Sequence, residues 1–378
     1  MKSTLAFLLC LSLSVSRAEP ASSALPRSTP EAQGVSSPAI LAFITAAEAK
    51  IDALHSFVLV RHGQVVAEGW WAPYAAAKTH MLYSLTKSFT STAVGLAVSE
   101  GKLSLDDRVL KFFPDQAPAH PSEELKAMTV RHLLRMSTGH DRKDVDAAFQ
   151  RIWPMPHPDL VKKFLAMPIG QKPGTGFVYD STGSHVLSAI VQKVTGQTVH
   201  EYLRPRLFVP LGIADPVWEQ DSQGVPFGCF GLHLHTEDMA KFGQLYLQKG
   251  QWQGRQLVPT VWVEAATSKQ TDNRKKPGVD SESDWEQGYG YQFWLCRHGF
   301  YRGDGAMGQF CIVMPQYDAV PAITSGTSDM GSVMQLAWDT IIPAFKDAPL
   351  PADPESVAKL TAKAKSLKLA HNNGLGGF

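Results

Sequence analysis

Apolar residues change period along the chain, and each change marks an element. Ser37, as the expected cap, and Pro38 open a stretch in which Ile40, Ile44, Ala47 and Ile51 recur on one helical face. His55 to Val60 and Gln64 to Trp70 read as two strands around a His62-Gly63 turn, a β-hairpin. From Ser84 to Ser99, Phe89, Val94, Leu96, Ala97 and Val98 lie nearly all round a helix ended by Gly101, so this helix should be central and buried. Residues 105–215 are mostly helical and loop-rich, include a helix from Gly183 to Val194, and read as an insert. Thr236 should cap a helix that turns Met239, Phe242, Leu245 and Tyr246 inward. Strands follow at Tyr289 to Cys296, Gln309 to Met314 and Ala319 to Thr324, then a core helix from Ser332 to Ile342 that Pro343 stops. Strands near both ends with helices between them predict one α+β domain, its antiparallel sheet completed by late strands and flanked by helices, with the helical insert interrupting it.

The flanks carry separate messages. Met1-Lys2, the apolar run Leu5 to Leu13 and Ser16-Arg17-Ala18 predict a cleaved signal over 1–18, and therefore a periplasmic or secreted protein. The run is too short to span a bilayer, and bulky Leu9 before Cys10 argues against a lipoprotein. Residues 19–36 are rich in Pro, Ser and Ala and read as a linker, which leaves 37–347 as the folded domain. In the tail, 348–378, Val357, Leu360, Ala364 and Leu367 alternate with lysines; the face lacks Phe and Trp anchors, so it reads as an amphipathic helix resting on the domain.

Charge narrows the partners. Over 378 residues, 36 Lys+Arg offset 35 Asp+Glu, and a formal charge of +1 gives no field to draw nucleic acid or anionic lipid. Cys229, Cys296 and Cys311 lack metal spacing and read as buried free thiols rather than one bridge with a spare. His233 and His235 share a strand face without a third ligand, and Arg302-Gly303-Asp304 is a chance tripeptide. There is no G-x-S-x-G elbow, H-E-x-x-H helix or P-loop.

What remains is S-x-x-K, present at Ser84/Lys87, Ser99/Lys102 and Ser356/Lys359. Serine and lysine three apart share a helical face, and only Ser84 opens a buried helix. A lysine in apolar surroundings has its ammonium form disfavoured and can act as a base; a serine cap with a snorkelling lysine fits the same letters. Tyr179 taken alone reads as a packed core tyrosine, and Gly303 to Gln309 as a glycine-rich turn or a substrate-lining strand.

Tyr83-Ser84-Leu85-Thr86-Lys87-Ser88, Thr129-Val130-Arg131-His132-Leu133-Leu134 through Ser137-Thr138-Gly139, and Pro173-Gly174-Thr175-Gly176-Phe177-Val178-Tyr179-Asp180-Ser181 occur in the order and spacing of a known family. The chain resembles the class C β-lactamase and DD-peptidase superfamily of serine hydrolases over about residues 37–347, and in motif the 6-aminohexanoate-dimer hydrolase and family VIII carboxylesterase branches. The resemblance implies a β-lactamase/transpeptidase-like fold without metal or cofactor. It makes Ser84 the nucleophile, Lys87 and Tyr179 its proton-transfer partners, and the N–H groups of Ser84 and Ala306 the oxyanion hole. Ser181 replaces the motif's usual asparagine, and Gly303-Asp304-Gly305 stands where many relatives carry K-T-G, so Ser181, Gly303, Asp304 and Gly305 are the implied substrate contacts. The expected substrate is a small ester or amide; a β-lactam, a D-aminoacyl peptide, or a silent penicillin-sensing domain are the alternatives.

Overall fold

The computed structural model describes residues 24–152, 159–214, 216–276 and 278–370. The expected signal, Cys10 and the last eight residues lie outside them. Six strands form one antiparallel sheet: β1 (Leu54–Arg61), β2 (Gln64–Trp70), β3 (Trp294–Leu295), β4 (Tyr301–Gly305), β5 (Gln309–Val313) and β6 (Ala319–Ser325). Their order is β2-β1-β6-β5-β4-β3, so the first hairpin joins the late strands through the β1–β6 pairing. Every residue of β1 is buried because both faces of the sheet are covered. Alternation sends Phe57 and Leu59 to one apolar cluster and Val58 and Val60 to the other.

Helices α1 (Ser37–Lys50), α5 (Met330–Thr340) and α6 (Pro354–Lys365) cover the Phe57 face, and α2 (Thr86–Ser99), α3 (Ser181–Thr195) and α4 (Thr236–Leu247) belong to the Val58 side. The insert contributes short helices, among them Val130–Leu134 and Leu160–Leu165, whose Leu133 and Phe164 join Phe89 of α2 and Val186 of α3 in one core. α2 is therefore enclosed between sheet and insert, and all its residues from Thr86 to Ala97 are buried.

Several boundaries move for identifiable reasons. Ser36, not Ser37, caps α1, its hydroxyl accepting from Ala39 N. Thr236 is the first residue of α4 rather than its cap, and its hydroxyl bonds Ser56. The expected strand from Tyr289 to Cys296 shrinks to Trp294–Leu295, because Gln292 has φ +64° and the preceding backbone bonds elsewhere: Tyr291 N to Ala266 O and Gln292 N to Leu134 O. The described part of the expected linker, 24–36, is packed: Leu25 and Val35 are buried, Ser28 N donates to Val65 O, and Glu31 accepts from Ser37 N. In the tail, α6 buries Leu360, and Ala72 exchanges backbone bonds with Leu367 and Leu369.

Candidate active site

Ser84 does not open the α-helix itself. It is the middle residue of a 3-10 turn, Tyr83–Leu85, that leads into α2 at Thr86. Tyr83 has φ +46°, a left-handed conformation that costs a non-glycine residue about 1–3 kcal/mol and persists only where its surroundings enforce it. One enforcing contact is Leu82 N donating to Leu232 O. The turn also lies against β4. An added Cβ at Gly303 would sit 3.0 Å from Leu85 Cγ and 3.2 Å from Ser88 Oγ, and one at Gly305 only 2.1 Å from the Leu82 carbonyl oxygen. Side chains at 303 and 305 would push strand and turn apart.

Lys87, one helical turn on, is 1% exposed. Its Nζ donates to Ser84 Oγ at 2.9 Å and to the Cys229 carbonyl at 3.0 Å. Among the described residues no carboxylate hydrogen-bonds to it, and both of its acceptors are neutral. The Cys229 thiol is no competing nucleophile, since burial pushes it up to about 11. Cys229, Cys296 and Cys311 are all buried free thiols.

Tyr179 comes from the insert, and the Lys87 nitrogen lies 4.8 Å from its ring centre. Its backbone is fixed on both sides: Val178 N donates to Met136 O, and Asp180 N to Met136 Sδ. Asp180 caps α3 by accepting from Gly183 N and also accepts from Thr182, Thr138 and His140. Burial pushes the Asp180 carboxyl up, but His140, Thr182 and Gly183 together outweigh burial and hold it below its ordinary value. The tyrosine ring stacks on Trp294, with centroids 5.3 Å apart, and meets Tyr289 edge-on at 6.3 Å.

The structure thus brings Ser84, Lys87 and Tyr179 together, with Gly303 and Gly305 on the adjoining strand. Ala306 is exposed at the start of the turn from β4 to β5, where Gln309 Nε2 donates to its carbonyl. Asp304 is different from the expectation. It is buried, and its carboxylate pairs with Arg302 at 2.7 Å on the strand face away from Gly303, so it presents no free charge to a substrate. Burial raises the Asp304 carboxyl, and Arg302 only partly offsets this. Ser181, first residue of α3, is 6% exposed and, among the described residues, makes no hydrogen bond to Lys87. His233 and His235 pair separately, with Glu219 and Asp238.

Sequence reasoning missed Trp294, Tyr289 and the Cys229 carbonyl. A backbone acceptor 142 positions from Lys87 leaves no signature in residue types. It also missed Gln292, whose side chain accepts from Ser184 and donates to Leu133 O and Leu134 O, while its backbone carbonyl accepts from Ser88. The residue ties α2, α3 and the insert together behind the site.

Two histidines pair where the chain approaches the Tyr83–Leu85 turn. Assigning the tautomers from their partners, His80 Nδ1 donates to Met81 O, and His80 Nε2 accepts from His55 Nδ1 at 2.8 Å. Burial, then the neighbouring ring, lowers His55 to about 3; burial likewise lowers His80. A histidine held neutral in the fold stabilises fully above its unfolded value near 6.5, and that stability is lost as pH falls below it. At pH 5.5 the cost from His55 is about 1.4 kcal/mol. We expect Tm to drop by a few degrees between pH 7.5 and 5.5, and His55→Gln to flatten that profile. An H55Q profile as steep as that of the unmodified protein would locate the acid sensitivity elsewhere.

Likeness to known proteins gives this fold its class, a hydrolase. The family profile described as Beta-lactamase matches residues 55–343, and the chain belongs to that family. It is 27% identical over 281 residues to the 6-aminohexanoate-dimer hydrolase of Paenarthrobacter ureafaciens, a match covering 70% of each chain. It is 27% identical over 177 residues to esterase EstB of Burkholderia gladioli, covering 44% of this chain and 45% of that enzyme. Among solved structures, the octameric penicillin-binding protein homologue from Pyrococcus abyssi superposes with a TM-score of 0.62 at 22% identity, over 82% of this chain and 78% of that one. At that identity the likeness speaks for the fold.

Proposed function

We propose that the protein cleaves small neutral esters or amides through an acyl-enzyme on Ser84. The observation that carries this reading is the 2.9 Å contact between Lys87 and Ser84 beside the Tyr179 ring. Ser84 Oγ attacks the carbonyl carbon while its proton passes to the Lys87/Tyr179 pair. The negative oxygen is held by the N–H groups of Ser84 and Ala306. The proton then goes to the leaving alcohol or amine, and water, activated by the same pair, releases the acid and restores Ser84. The relatives named as an esterase and as a dimer hydrolase support an ester or amide bond. The amino-terminal apolar run supports export to the periplasm or beyond, which sequencing the mature amino terminus tests.

Gly303 faces Leu85 and Ser88, and Arg302 is neutralised by Asp304, so neither residue offers a cation to a substrate carboxylate. A charge-assisted hydrogen bond of that kind is worth about 1.5–3 kcal/mol. We therefore expect kcat/KM for a small neutral aryl ester to exceed that for a chromogenic cephalosporin by about 10- to 150-fold. Efficient cephalosporin hydrolysis would replace the esterase reading with a β-lactamase. Gly303→Lys, which would put a lysine where K-T-G has one, does not simply narrow the gap, because its Cβ would meet Leu85 at 3.0 Å. Labelling by a fluorophosphonate, lost in Ser84→Ala, tests the nucleophile; an unlabelled protein would point to a silent binding domain.

A further inference from the structure

Tyr179 sets its ring beside Lys87 from a loop of the insert, yet it has to hold its phenol steady relative to a nucleophile in the turn that leads into α2. Among the described residues its hydroxyl has no hydrogen-bond partner, so the ring's orientation depends on packing. That packing comes from outside the insert. Trp294, on strand β3, stacks on the Tyr179 ring at 5.3 Å with planes 29° apart, and Phe177 and Tyr289 close around the same indole at 5.9 and 4.9 Å.

The indole is in turn anchored to the sheet. Trp294 pairs with Arg302 of β4, and the Arg302 guanidinium lies 5.7 Å from the indole ring and 4.8 Å from that of Trp285. Arg302 is fully buried and is fixed by Asp304, by the Asp284 carbonyl at 2.9 Å and by Cys296 Sγ at 3.2 Å. A cation against an aromatic face is an attractive and orienting contact when water is excluded. A continuous series of contacts therefore runs Asp304, Arg302, Trp294, Tyr179, Lys87, Ser84.

We propose that Trp294 is a positioning residue, which aligns the Tyr179 phenol for proton transfer at Ser84 and transmits to it the rigidity of the Arg302–Asp304 pair. The inference rests on the acyl-enzyme reading above and deepens it. Trp294 need not touch the substrate: its work is done on a catalytic side chain, where a misplacement of about 1 Å costs on the order of 10² in rate.

The test measures kcat and KM for a neutral aryl ester in Trp294→Leu, Trp294→Phe, Tyr179→Phe and the double variant Trp294→Leu/Tyr179→Phe, with Tm for each. We expect Trp294→Leu to lower kcat by about ten- to a hundredfold with KM changed less than about threefold, and Trp294→Phe, which keeps a stacking ring, to recover most of the loss. In the Tyr179→Phe background Trp294→Leu should cost less than about threefold more, since the phenol it aligns is already gone. Fully multiplicative losses, a loss carried by KM, or no rescue by phenylalanine in a protein of unchanged Tm would each overturn the proposal. If Trp294→Leu lowers Tm sharply, Trp294→Phe alone decides: kcat close to that of the unmodified protein supports the role, and kcat as low as in Tyr179→Phe overturns it. Tyr179→Phe turning over at full rate would instead bring down the acyl-enzyme reading, and the alignment role with it.

Discussion

Ser84→Ala is expected to lower turnover of a neutral ester by roughly 10⁶-fold, the scale seen when a nucleophile that works with its base is removed. Ser99→Ala and Ser356→Ala, at the other two S-x-x-K pairs, are expected to leave turnover within about twofold. The three serines differ in what they bond. Ser84 accepts from a buried lysine in a strained turn, whereas Ser99 Oγ donates to Leu96 O at a helix end. Ser356 is positioned at the start of α6, where its N–H donates to Asp353, and Lys359 pairs with Glu355 rather than with a serine. Removing the Ser84 hydroxyl takes away one hydrogen bond to Lys87, a loss of about 1 kcal/mol that the fold should survive. Steady-state assays and Tm measured on the same preparations separate chemistry from folding. A folded Ser99→Ala protein as inactive as Ser84→Ala would move the nucleophile assignment.

Lys87→Ala and Tyr179→Phe are each expected to reduce the acylation rate by about 10² to 10⁴, the range for losing one acid–base partner. Lys87 sits within hydrogen-bond distance of Ser84 and 4.8 Å from the Tyr179 ring, and the proposed mechanism puts the two on one proton path. The double variant should then be little worse than the poorer single variant. Losses that multiply fully would show independent roles. Lys87→Ala also opens a cavity between α2 and Cys229 O, so Lys87→Met, of similar length and without the amine, is the better-behaved comparison.

Much of this site could be read in the sequence, and the reason is local. Ser84, Lys87 and the buried run of α2 lie within one helical stretch, where a 3.6-residue period shows which side chains share a face. Tyr179 was legible only as part of the nine-residue motif Pro173 to Ser181, since one tyrosine in a helical insert has no periodicity of its own. Strand alternation puts Arg302 and Asp304 on the face away from Gly303, but that they neutralise each other depends on how deeply β4 is buried. Trp294 was placed on a strand, yet its contact with Tyr179 crosses from sheet to insert. The left-handed turn at Gln292, which cuts the strand short, has no glycine to announce it.

The pairing of β1 with β6 has a consequence for synthesis. Ser56 and Thr324, hydrogen-bonded to each other in the finished sheet, are 268 positions apart in the chain. The first hairpin leaves the ribosome long before its partner strand exists, and its apolar edge, Phe57 to Val60, must wait unpaired. Non-local pairing of this kind slows folding and leaves a transient strand edge open to other chains. Release of the carboxy-terminal part of the chain is therefore what closes the sheet: a nascent chain stalled before Ala319 would hold both α2 and the hairpin yet remain a ready substrate for chaperones and proteases.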